Sequence, residues 1–127
     1  MNVNYSNNCN RTSFGAFNQA QKNVVDHFSD VIREISPEHR KKFVQEVAEI
    51  IEGAKGCPIA VEHEMVQATT PYYAPVVEGK RVTTTNKHNN KANYIVDVMR
   101  RASEYAKNIA DANANIEEIK HVLNFPA

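Results

Sequence analysis

The chain has 127 residues, of which 42% are hydrophobic and 24% charged, a size and balance that suit one domain with its own apolar core and argue against disorder of the whole chain. Fifteen lysines and arginines balance fifteen aspartates and glutamates, so no global field draws the protein to nucleic acid or anionic lipid, and any such binding needs a local patch. The only cysteines, Cys9 and Cys57, lack metal-site spacing and argue against a disulfide framework, while the absence of a run of about 18 apolar residues argues against a membrane-spanning helix.

Residues 1–12 hold five asparagines and almost no apolar periodicity, which reads as a flexible leader unable to bury enough surface to offset its own ordering entropy. They lack the charged start and apolar centre of a secretory signal, so the expected location is cytoplasmic, although an Asn/Ser-rich start is also a composition that an export address can have. Residues 13–127 read as a single helical domain.

From Ser13 onward, Phe14, Phe17, Gln21, Val24, Phe28, Val31 and Ile35 step by three and four, with Val25 and Ile32 widening the stripe. That spacing predicts an amphipathic helix over about residues 13–35. Ser36-Pro37 stops it and starts a second helix over about 37–54, because proline disfavours helical geometry before it and is pre-organised for the first helical position. Phe43, Val44, Val47, Ile50, Ile51 and Ala54 form the apolar face of this second helix.

Prolines and glycines interrupt the middle of the chain. Val61, His63 and Met65 alternate with Glu62, Glu64 and Val66, which predicts a strand over about 59–67. Two further strands, over about 72–77 and 80–85, flank Glu78-Gly79 as a hairpin in which Gly79 supplies the positive φ of a tight turn. Pro71 and Pro75 place the arm that carries Tyr72 and Tyr73 at a sheet edge or in an extended loop.

The last third carries the strongest pattern: Ile95, Val98, Ala102, Tyr105, Ile109, Ala112, Ile116, Ile119 and Leu123 alternate steps of three and four. It predicts a long helix over about 90–124 with a heptad-like seam. Poor helix formers cluster at Asp111-Ala-Asn-Ala-Asn115, where Asn115 and Glu118 could instead cap a separate final helix. The fold class is therefore mainly α with a small antiparallel hairpin insertion, an α+β chain.

Three constellations could carry chemistry. Lys80, Arg81, Lys87, His88 and Lys91 lie without an intervening acid just before the long helix, a candidate site for a phosphate-bearing ligand that an ordinary capped polar loop would also resemble. Glu62-His63-Glu64 offers metal-ligand types, but a strand sends His63 to one face and both glutamates to the other, which favours a hydrogen-bonded, partly buried histidine over a metal or general-base site. Tyr72 and Tyr73 could stack on a base or cover the core edge, and packing is the commoner use. No catalytic triad, nucleophile elbow or zinc spacing is present, so no catalytic residue, metal or cofactor is assigned.

The nine-residue seam from Ile95 to Leu123 is longer than the rest of so small a chain covers easily. It leads to the expectation of a non-enzymatic interaction, adaptor or oligomerisation protein whose partner is a second copy or another protein. A nucleotide- or RNA-binding module using residues 80–93 is the alternative, and an enzyme with a histidine-based site is the third reading.

Overall fold

The computed structural model describes residues 16–124. Its elements are helices α1 (Lys22–Glu34) and α2 (Pro37–Gly53), strands β1 (Val61–Val66), β2 (Tyr72–Val77) and β3 (Lys80–Arg81), and helix α3 (Lys91–Val122). The strands form one antiparallel sheet in the order β1-β2-β3. This is the expected α+β class, with two helices meeting at Ser36-Pro37 and a long helix at the end; the Asn-rich leader lies outside the described residues.

α1 buries Val24 and Val31 and half-buries Phe28, Ile32 and Ile35 on the predicted stripe, while Lys22 and Asp26 pair at 2.8 Å on the solvent face. The helix starts later than the spacing predicts. Residues 16–18 run instead alongside β1, where Phe17 forms a parallel bridge with Val61. Asn18 N–H donates to the Val61 carbonyl at 3.0 Å, Val61 N–H donates to Ala16, and Ala16 N–H donates to the Ala54 carbonyl at 3.1 Å. β1 has an unpaired edge whose backbone groups need partners, and Asn18 is a poor helix former, so residues 16–18 satisfy the sheet instead of extending the helix. Ala16 and Phe17 are fully buried there.

The corner between α1 and α2 is held by a side chain. Arg40 Nε donates to the carbonyls of Ile32 at 2.8 Å and Ile35 at 3.2 Å, which would otherwise be among the carbonyls left without partners at the end of α1. α2 buries Phe43 and Ile50, and Ala54 follows it into the core. Val44, expected on the apolar face, is exposed.

In the sheet, Val61 opposes Val77, His63 opposes Pro75 and Met65 opposes Tyr73, so alternate residues of both strands face the helices. The expectation that prolines would keep the tyrosine arm at an edge is corrected, because β2 is the middle strand. Pro75 is tolerated since its carbonyl accepts from Val82 N–H at 2.8 Å, which turns its missing N–H toward the side where β3 has already ended. For the same reason β3 is two residues long and not the predicted six: beyond Arg81 the ladder has no return bond to make. On the other face Glu64, opposite Ala74, and Arg81, opposite Val76, pair diagonally across β2 at 2.7 Å.

Glu78 and Gly79 both have positive φ, 52° and 78°, as a two-residue type I′ turn requires. Gly79 adopts this freely, whereas Glu78 is strained by its Cβ. We expect Glu78→Asn to raise the unfolding free energy by about 0.5–1 kcal/mol, read from urea melts. A loss of stability would show that the Glu78 side chain contributes more than the turn geometry takes away.

Candidate functional site

The basic residues before α3 do not converge on one point. Lys80 and Lys87 are exposed, and Arg81 is engaged by Glu64. His88 Nε2 lies 2.9 Å from Asp97 Oδ2, and Lys91 opens α3 on the rim of a cleft. Asn90 caps that helix, its Oδ1 accepting from Asn93 N–H at 2.8 Å.

Asp97 organises the segment. Its Oδ2 accepts from Asn86 Nδ2 at 3.1 Å and faces His88, while Oδ1 accepts from Arg101 Nε at 3.1 Å. Burial by itself pushes this carboxyl up, but the hydrogen bonds from His88, Thr84, Asn86 and Arg101 outweigh it and hold the pKa at about 2. Residues 84–88 are thus strapped to the first turns of α3. Asp97 was not among the predicted site residues; the sequence signal was its spacing of four from Arg101, an i,i+4 pair.

The second constellation resolves into packing. His63 Nε2 sits 2.8 Å from the Asn18 carbonyl and Nδ1 sits 2.9 Å from the Tyr73 hydroxyl. A carbonyl only accepts, so Nε2 carries the proton and Nδ1 accepts from the Tyr73 O–H. Burial lowers the His63 pKa against the opposing effect of the Asn18 bond, and burial raises that of Tyr73. Glu62 is exposed and Glu64 is committed to Arg81. Among the described residues no group of three or more His, Cys, Asp or Glu side chains is placed to hold a metal ion.

The two tyrosines separate. Tyr73 is fully buried, with its ring edge-on to Phe28 at 5.1 Å, and Phe28 is in turn edge-on to Phe43 at 6.0 Å. Tyr72 is half-buried and lines the cleft beside Lys91.

The seam divides as well. Ile95, Val98 and Ala102, predicted as interface, are fully buried within the chain's own core, because the sheet supplies the cover that helices alone would not. Tyr105 and Ile109 are packed at its margin. Ala112, Ile116, Ile119 and Leu123 are exposed. Compared with protein-family models, with curated proteins and with solved structures, the chain finds no match.

Two outcomes follow from these networks. Asp97→Ala should lower stability at pH 7 by about 2 kcal/mol, the scale of hydrogen bonds to a charged group and of a carboxyl held well below its ordinary pKa, and amide exchange should quicken over residues 84–88. Unchanged exchange there would refute the strap. His63 and His27 both have pKa values lowered from 6.5, burial being the largest cause in each. Their stabilisation is therefore complete above pH 6.5 and is lost as the pH falls through the lowered values. As the pH falls below 6.5 the melting temperature should fall, and His63→Gln, which has a donor and an acceptor but no titration in this range, should flatten the fall. An equal slope in the variant would show that His63 is not a source of the pH dependence.

Proposed function

We propose that this protein is an interaction protein that self-associates through the C-terminal half of α3. The carrying observation is that α3 runs without a break to Val122, through the Asp111–Asn115 stretch of poor helix formers, while the described chain stops covering it near Ile109. Ile116, Ile119 and Leu123 are 48%, 51% and 56% exposed, and Val122 is 68% exposed.

From Ile109 to Leu123 the stripe spans two heptads, about 21 Å of helix at 1.5 Å per residue. So short a segment would be marginal as an isolated helix. Here the buried first half of α3 has already nucleated it, and the overhang needs only a surface to pack against. Burying an isoleucine or leucine that is otherwise exposed contributes about 1.5–3 kcal/mol, which favours an apolar cover.

The chemistry of the flanks favours a second copy as that cover. With Ile109 and Ile116 at position a, the positions bordering the seam are Asn108, Asn113, Asn115, Lys120 and Val122. No carboxylate stands among them; Asp111, Glu117 and Glu118 fall on the outer face. A border with one cation asks for no strongly charged partner and sets up little repulsion between identical helices. The zero net charge of the chain likewise does little to keep copies apart.

Sedimentation equilibrium across about 1–300 µM is the test, since a two-heptad contact is expected in the micromolar range. Association should rise with concentration and should be abolished by Ile116→Lys with Ile119→Lys, whose effect on dilute-solution melting should stay within about 0.5 kcal/mol, as for exposed positions. A wild-type chain that remains monomeric throughout, including one that instead captures a different protein, would overturn self-association, as would a double variant that associates like the wild type.

A further inference from the structure

At the opposite end of α3 lies a cleft of about 580 Å³, within the range of about 300–1,000 Å³ usual for small-molecule sites. Four parts of the fold meet there: α1 through His27, the β1–β2 connection and the start of β2 through Pro71 and Tyr72, the β3–α3 connection through Thr83 and His88, and the first turn of α3 through Lys91 and Tyr94. Its floor includes the fully buried Ile95. We propose that this cleft binds a planar aromatic anion of mononucleotide size, with the ring against Tyr72 and Tyr94 and the anionic group on Lys91.

The aromatic half of the argument is geometric. Tyr72 and Tyr94 line the same cleft from the sheet side and the helix side, and the Tyr72 phenol lies close enough to Tyr94 to add to the larger effect of burial in raising the Tyr94 pKa. The His88 imidazole stands edge-on to Tyr94 at 6.4 Å. Its nitrogen is held by Asp97, so the Tyr94 ring has a fixed neighbour on that side. Stacking between a flat ring and tyrosine tolerates any ring with a π face, which suits a purine or pyrimidine without selecting one.

The charge half is independent of the rings. Among the described residues no carboxylate lines the cleft and Lys91 makes no ion pair. Lys91 lies near enough to His27 to disfavour its protonation, adding to the larger effect of burial. The cleft therefore presents the Lys91 ammonium beside the His27 imidazole, whose protonation burial disfavours, and the amides of Asn89 and Asn90. A phosphate or carboxylate gains a charge-assisted contact with Lys91 there. The contact is assigned to the Lys91 side chain; at the helix start the Asn93 N–H is already taken by Asn90.

This site is distinct from the basic cluster expected from the sequence. Of Lys80, Arg81, Lys87, His88 and Lys91, only His88 and Lys91 line it; the aromatic wall comes from Tyr72 and Tyr94.

The test is titration of the full-length, isotope-labelled chain with adenosine monophosphate, adenosine and inorganic phosphate, followed by amide shifts. The monophosphate should perturb Tyr72, Lys91 and Tyr94 and bind at least about tenfold more tightly than either fragment. Lys91→Ala should weaken the monophosphate about fivefold to tenfold and leave adenosine unchanged, while Tyr94→Leu, which keeps apolar bulk, should weaken both by about tenfold. Adenosine equal to the monophosphate would remove the anion contact, and phosphate alone equal to it would remove the ring contact. Absence of shifts at these residues would remove the site. Affinity for oligoribonucleotides that climbs with each added nucleotide would replace the single-ring cleft with an RNA groove.

Discussion

The structure depends on the first half of α3 covering β2. Tyr73, Pro75 and Val77 present the apolar face of the middle strand, and Ile95, Val98, Met99 and Ala102 are buried on the helix that packs against it. With β3 only two residues long, the sheet is close to a lone two-stranded hairpin, which has little stability alone and needs such a cover. The alanines at 92, 102 and 106, all buried, allow the close approach of helix and neighbours that larger side chains would prevent. α1 and α2 then pack around the same axis, with α2 making its main helical contact with α3. Removing bulk at Ile95 or Val98 would therefore loosen every other element together.

Much of this was legible because helix periodicity is a local property. The stripe on α2, the corner at Ser36-Pro37, the Glu78-Gly79 turn and the seam of α3 each arise from residues within a few positions of one another. What was not legible depended on residues far apart in sequence. Phe17 fits a helical stripe by spacing, yet it serves the open edge of β1 more than forty residues away. Pro75 looked incompatible with a middle strand until the shortness of β3 removed the demand for its N–H. The seam read as one interface because nothing in its spacing distinguishes Ile95, which meets the sheet, from Ile116, which extends past it.

The candidate site shows the same division. Lys91 could be singled out from composition, and Tyr72 from its neighbouring prolines, but their meeting with His27 of α1 is a product of the fold. Asp97 was inconspicuous because a single acid on an amphipathic helix normally faces solvent. Its role comes from the residues 84–88 strap that folds back onto it, and the strap in turn sets one boundary of the cleft. Positioning here is indirect: a carboxylate that does not line the cleft fixes the imidazole that stands beside Tyr94.

The brevity of β3 and the cover on β1 bear on what kind of assembly this chain can enter. Strand addition is open-ended, since each added copy exposes a fresh edge, and it leads to fibres. One border of this sheet is only two residues long, and the opposite border is occupied at Val61 by Phe17 and carries charge at Glu62 and Glu64. Growth by that route has almost no template. Contacts between helical overhangs can instead close on themselves by symmetry, so crowding this protein should yield particles of fixed size and not filaments.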